Sequence, residues 1–380
     1  MTGAWGASRS TAAERERLLA DFVRLCEIES PSGRERAMAD AVTAELRAAG
    51  LEVEEDDTGR VTGADAGNLL ARIPGATGRR TILMCAHLDT VPLDGPVSVA
   101  REEGVITNRH EAILGADNKA AVAGLLGVAR RFAAGAPVGV EVLFTTSEEL
   151  ALRGAKAFDR SRLRAQFGFV FDHASAIGEL VVAAPTYYRV EAAFHGAAAH
   201  AGIRPEEGRN AIAAAARAVA GMRLGRLDGE TTANVGVIDG GTAANVVAEQ
   251  CRVELEARSL DDAKAGGVVA EIVDACTEAA SDAECDVETH VEELFRGYRL
   301  ARSEPAVEVA GAALGALGIE PVHIATGGGS DANAFIAAGL PVLNVANGTE
   351  RNHQPDESVS EQALETMLDV KLGIVEAAAG

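Results

Sequence analysis

Residues 80–92 read RTILMCAHLDTVP. The stretch from Ile82 to Ala86 is unbroken apolar and then stops at His87 and Asp89. A strand that is apolar on both faces belongs inside a sheet covered on both sides. An open α/β sheet places its ligand site at the carboxyl ends of such strands. The same arrangement recurs along the chain. Asp117 lies in LGADNKAA, Glu148 and Glu149 in TTSEEL, Asp172 in FVFDHAS and His353 in ERNHQPD. Each of these groups sits at the edge of an apolar run or just beyond it. Five oxygen or imidazole ligands and one spare carboxylate suit a pair of zinc-like ions with a general base beside them. The pattern points to metal-assisted hydrolysis.

Each position also has a plainer role. On a strand, His87 and Asp89 would share a face, so the imidazole could bind a metal while the carboxylate held its second nitrogen. A satisfied histidine at a strand end has the same spacing. Asp117 opens the helical pattern NKAAVAGLLGVARRF, where an N-cap is the ordinary reading. Asp172 would serve as a turn former and His353 as a surface histidine. Glu148-Glu149 is more telling, because adjacent carboxylates at the end of a buried strand repel each other without a cation nearby. One can ligate while the other takes a proton. His110, His173, His195, His290 and His323 have no comparable setting.

The chain has 380 residues, 47% hydrophobic and 24% charged, enough for a sizeable core and two domains. The net charge of −22 disfavours nucleic acid and anionic membrane as partners. MTGAWGASRSTAAERERLLADF lacks the apolar segment of a secretory signal, and no run is long enough to span a membrane. Cys26, Cys85, Cys251, Cys276 and Cys285 are an odd set without a CxxC pair, which reads as reduced thiols in a cytoplasmic protein.

Strand and helix patterns alternate through VGVEVLFTT and FGFVFD, predicting an α/β domain with a mainly parallel sheet sandwiched by helices. Near residue 184 the texture changes. TYYRVEAAF, GRNAIAAAARAVAGM, TTANVGVID, NVVAEQCRVELEARS, DAKAGGVVAEIVDACTEAA and ECDVETHVEE give β-α-β-β-α-β, the order of a ferredoxin-like α+β unit. The predicted organisation is a catalytic domain in two parts, 1–183 and 292–380, with 184–291 inserted as a lid.

The ordered set AHLDTVP, GADNKAA, TTSEE, FVFDH, HGAAAHAGIRPEEGRNAI, GGTAANVVAEQCRVELEARS, GGGSDANAF and RNHQPDE resembles the dinuclear-zinc exopeptidase family. That family includes peptidase T, glutamate carboxypeptidase, aminoacylase and succinyl-diaminopimelate desuccinylase. GADNKAA and the short lid look most like the peptidase T-like branch. The resemblance implies two divalent metal ions per chain, zinc first, with cobalt or manganese suited to the same ligands. His87, Asp117 and Asp172 would hold one, and Asp117, Glu149 and His353 the other. Asp89 would orient His87. Glu148 would be the general base, taking a proton from the attacking water and passing it to the leaving nitrogen. The family also has a cis peptide after the bridging aspartate, here Asp117-Asn118. His200 would donate to the oxyanion, often from the partner subunit of a homodimer formed through the insert. Asn245 and Arg258 would hold the substrate carboxylate, and the loop around Gly328 and Gly329 would offer it backbone N–H groups.

Departures are modest. Ala248 stands where relatives often have proline, Glu256 where they often have aspartate, and Asn118 where aspartate is common. The implied activity is release of an N-terminal residue from a di- or tripeptide. An amidohydrolase or carboxypeptidase acting on N-acyl amino acids, and an inactive metal-binding scaffold, are the alternatives.

Overall fold

The computed structural model describes residues 9–380. Among these, two compact units emerge. One comprises the described residues up to Val182, then Arg299–Ala325 and Ser330–Gly380; the other comprises Ala183–Tyr298 and Thr326–Gly329.

The first unit is built on a nine-stranded sheet. Its centre is the strand Thr81–His87, paired in parallel with Gly139–Thr145 on one side and Phe167–His173 on the other. Val342–Ala346 extends the parallel run beyond Phe167–His173. Antiparallel strands flank it, Leu69–Ile73 beside Gly139–Thr145 and Glu179–Ala184 beside Val342–Ala346. The apolar stretch before His87 is buried on both faces: Ile82, Leu83, Met84, Cys85 and Ala86 are all solvent-free. The helix Ala116–Phe132 is buried along most of its length, which explains a pattern too apolar for a surface helix. Parallel pairing has a functional consequence, because it sets the carboxyl ends of these four strands on one edge.

A separate four-stranded antiparallel sheet pairs Thr349–Glu350 with Ser358–Ser360, and the latter with Val105–Asn108. Residues 351–357 are therefore a hairpin loop with both ends tied.

The second unit has a five-stranded antiparallel sheet with the spatial order Gly225–Arg226, Thr231–Gly240, Gln250–Ser259, Thr186–His195, Asp286–Phe295. Side chains of Gln250–Ser259 alternate between buried and more exposed, as expected of a sheet covered on one face. Val190, Phe194, Val253 and Leu255 share a core with Ala214, Ala218, Val269 and Ile272 of the helices Ala211–Gly221 and Asp262–Asp282. This is the β-α-β-β-α-β unit expected from the sequence. No helix among the described residues is long and apolar enough to cross a membrane.

Candidate metal centre and catalytic site

His87 ends its strand, Asp172 lies one residue from the end of the next, and Glu148-Glu149 follow the end of Gly139–Thr145. Asp117 lies at the start of the helix Ala116–Phe132 but leaves helical conformation, with φ −80° and ψ 105°. It is not the N-cap, a position held by Gly115 at φ 74°. The Asp117-Asn118 peptide is cis, as the resemblance implied.

One carboxylate joins the two histidines. Asp117 Oδ1 lies 3.2 Å from His87 Nε2, and Asp117 Oδ2 lies 3.2 Å from His353 Nε2. Asp172 Oδ1 stands 3.5 Å from the same His87 nitrogen, and Glu149 Oε1 2.8 Å from His353 Nε2. Among the described residues, His87, Asp117 and Asp172 present ligand atoms within 4.8 Å of one another, and so do Asp117, Glu149 and His353. A third set, His87, Glu148 and Glu149, meets the same limit. Two such sets sharing one aspartate fit a pair of N/O-ligated divalent cations.

The electrostatics agree. Burial disfavours the His87 imidazolium, yet the carboxylates of Asp172, Asp117 and Asp89 outweigh it and raise its pKa well above the usual range. Hydrogen bonds to Asp117 and Glu149 push His353 up to about 10. Burial, then the charge of Asp117, lifts Asp172 to about 8 despite His87. Burial and the negative charge of Asp172 and Glu149 raise Glu148 well above the carboxylate range. In the absence of cations these groups hold protons, because the negative charge has no other counterpart.

Asp89 has partners beyond His87. The strand ends at His87, so the two-residue alternation no longer applies. The main-chain carbonyl of Asp89 lies 3.0 Å from His87 Nδ1, nearer than its carboxylate at 3.5 Å. That carboxylate accepts the N–H groups of Glu148 and Glu149 at 3.0 and 3.1 Å and the Ser32 hydroxyl at 2.7 Å. Asp89 thus fixes the glutamate pair as well as flanking the histidine.

Several supporting residues escaped the sequence reading. Glu35 accepts the N–H and hydroxyl of Ser147 at 3.0 and 3.1 Å, holding the turn before Glu148. Asn344 grips the Asp172 main chain from both sides, accepting its N–H and donating to its carbonyl, each at 3.0 Å. Glu357 accepts N–H groups at the start of the Asp117 helix. The only signal for Glu357 was an acid four residues after His353.

In the second unit, His200 and Asn245 are exposed and adjacent, with Ala201 N–H donating to the Asn245 carbonyl at 3.0 Å. Gly202 N–H donates to His200 Nδ1 at 3.2 Å, which leaves the ring hydrogen on Nε2, free to donate outward. Arg258 is already engaged: it donates to Glu256 at 3.0 Å and to the Gly327 carbonyl at 3.2 Å, and its guanidinium lies 4.1 Å from the Tyr187 ring centroid. Gly328 N–H donates to the Thr326 hydroxyl at 3.1 Å, so the loop uses one of its own donors internally. A Cβ on Gly329 would run into the Phe295 ring.

The peptidase dimerisation domain family matches residues 186–284, and the peptidase family M28 description matches residues 68–201. The uncharacterised protein YqjE of Bacillus subtilis is 36% identical, over 96% of this chain and 99% of its own. Aminopeptidase PepT from Bacillus cereus has a crystal structure that superposes with a TM-score of 0.87 at 37% identity, covering 96% of this chain and 99% of that one. A tripeptidase from Staphylococcus aureus superposes with a TM-score of 0.91 at 31% identity, covering 96% and 98%. With the paired histidine–carboxylate sets and the inserted domain in place, these likenesses show that the chain is a metallopeptidase of the peptidase T-like branch of the dinuclear-metal exopeptidase family.

Proposed function

We propose that this chain is an aminopeptidase releasing the N-terminal residue of di- and tripeptides, with two divalent cations, zinc first, held by His87, Asp117 and Asp172 and by Asp117, Glu149 and His353. The observation that carries the reading is the Asp117 carboxylate, with one oxygen at 3.2 Å from each histidine. Bound cations of this kind acidify a water and polarise the scissile carbonyl.

The chain's own groups do the rest. Glu148 takes a proton from the attacking water and returns it to the leaving nitrogen. Asp89 holds Glu148 and Glu149 by their main chain, so base and ligand keep a fixed relation. His200 donates from Nε2 to the developing oxyanion, in the tautomer that Gly202 imposes. Arg258, held against the Tyr187 ring, and Asn245 orient the substrate carboxylate. The match of residues 186–284 to a dimerisation domain supports a homodimer through this insert.

The test is a panel of di- and tripeptides, their N-acetylated forms, and C-terminal glutamate substrates, each with added zinc, manganese or cobalt. Free tripeptides should be cleaved, and acetylation of a good substrate should abolish cleavage. Faster cleavage of the acetylated compound would replace the aminopeptidase reading with a deacylase.

A further inference from the structure

Asp117 must present its two oxygens to histidines on different elements, His87 at a strand end and His353 in a hairpin loop. The direction of a short side chain follows its own main chain. The main chain here departs from helical geometry at both Asp117 and Asn118, so the helix itself does not fix it. Something else must.

Glu357 is 1% exposed and uses both carboxylate oxygens at this point. Oε2 accepts Gly115 N–H at 2.7 Å and Oε1 accepts Asp117 N–H at 2.9 Å. These donors flank the peptide that leads into Asp117, at a helix start where N–H groups lack partners within the helix. Charge-assisted bonds of this length are the stronger kind. The same loop also reaches Asp117 through His353, four residues earlier. Its two ends are joined by short turns, Gln354 N–H to the Arg351 carbonyl at 3.1 Å and Glu357 N–H to the Gln354 carbonyl at 3.0 Å. One loop therefore holds Asp117 twice, by its carboxylate through an imidazole and by its main chain through a carboxylate.

We propose that Glu357 is a positioning residue for the metal centre, fixing the Gly115–Asp117 main chain so that Asp117 serves both cations at once. This rests on the two-cation reading of the same site. A buried carboxylate that merely satisfied two N–H groups would matter to folding alone. A positioning residue would matter to the affinity of both ions.

The experiment uses Glu357→Gln, which keeps one acceptor, and Glu357→Asp, which keeps both but withdraws them by a methylene. Zinc affinity is measured by competition with a chromophoric chelator, and thermal unfolding is followed on the metal-free proteins. Both ions should bind about 10–100-fold more weakly in a variant that folds, the range seen when groups supporting a ligand are removed. His353→Ala, by contrast, should weaken one ion far more than the other. Wild-type affinity for both ions in either folded variant would overturn the proposal. So would a fall in metal-free melting temperature with unchanged zinc affinity. If wild-type protein takes up no zinc, the two-cation reading falls and this proposal falls with it; if wild type takes two and the variants match it, this proposal alone fails.

Discussion

Replacing Glu148 by glutamine separates catalysis from charge balance, because the two should respond with opposite signs. The side chain is 8% exposed, and glutamine fills the same volume. The bonds from the main-chain N–H groups of Glu148 and Glu149 to Asp89 do not involve the substituted group. Fold and metal content should therefore persist. Loss of a positioned base costs roughly 10²–10⁴ in turnover, which is about 3–5 kcal/mol of barrier. Stability should move the other way. Glu148 and Glu149 present oxygens within 4.8 Å of each other. If both were ionised, their repulsion at an effective dielectric constant of about 20 would be at least about 3.5 kcal/mol. Burial and the neighbouring acids raise the Glu148 pKa in the folded state. The metal-free folded protein then keeps a proton that the unfolded chain releases near pH ~4.3, so its stability falls as pH rises from there through the raised pKa. Glutamine removes that slope. The metal-free variant should melt above metal-free wild type, by a margin that widens with pH up to the raised pKa. Steady-state kinetics with elemental analysis, and calorimetry on chelated protein across pH, read both effects. Normal turnover would refute the base assignment. Loss of metal together with activity would refute the division between base and ligands. A metal-free variant less stable than wild type at every pH would refute the charge reasoning.

Other perturbations follow from the same geometry. Asp117→Ala should lower the metal content from nearly two equivalents toward none, because both histidine–carboxylate sets share this residue; elemental analysis after gentle purification reads it, and retention of one tight ion would contradict the sharing. Mixing inactive His200→Ala chains with inactive Glu148→Gln chains should restore part of the activity if His200 serves a neighbouring subunit, and no recovery after confirmed subunit exchange would place its action within one chain. Lys371 is fully buried, with no hydrogen-bond partner for Nζ among the described residues, and faces the Phe171 ring at 4.4 Å. Lys371→Met should stabilise the protein by about 1–3 kcal/mol at neutral pH, since an unpaired polar group leaves the interior. Burial lowers the Lys371 pKa, so the folded state binds fewer protons than the unfolded chain and loses stability as pH falls below about 10.4. The advantage of methionine should therefore shrink toward that pH, and a variant less stable at pH 7 would show that the amine has a partner.

The candidate ligands were legible because each closes a pattern that sequence displays. An apolar run that stops at an ionisable group marks a strand's carboxyl end, and parallel pairing then gathers those ends on one edge. The insert was legible from its alternation of strand and helix. What periodicity did not show was the additional partners these side chains take. The strand stops at His87, and the Asp89 carboxylate, 3.5 Å from His87 Nδ1, also accepts the N–H groups of Glu148 and Glu149. Arg258 is expected to hold a substrate carboxylate. Glu256, two positions earlier on the same strand and hence on the same face, takes one of its donors. That pairing was within reach of the period-two rule. Glu35, Asn344 and Glu357 were not, because their partners are main-chain groups far away in sequence. An acid in a polar loop reads as solvated unless the N–H groups it will meet are known.

The supporting acids also bear on why the site would suit cations better than a water network. Asp117, Asp172, Glu148 and Glu149 meet two imidazoles at its centre, while Asp89 and Glu357 add buried carboxylates against the same main chain. Burial together with neighbouring negative charge raises Asp172 to about 8 and Glu357 to about 7, and bonds to two carboxylates raise His353 to about 10. Protons fill the role of counter-charge only while no metal competes for the same lone pairs. Each ligand must shed its proton to bind, so uptake of two cations should release protons and tighten as pH rises. The same excess of negative charge that makes the metal-free state costly would favour divalent cations, each of which can be shared by several carboxylate and imidazole lone pairs at once.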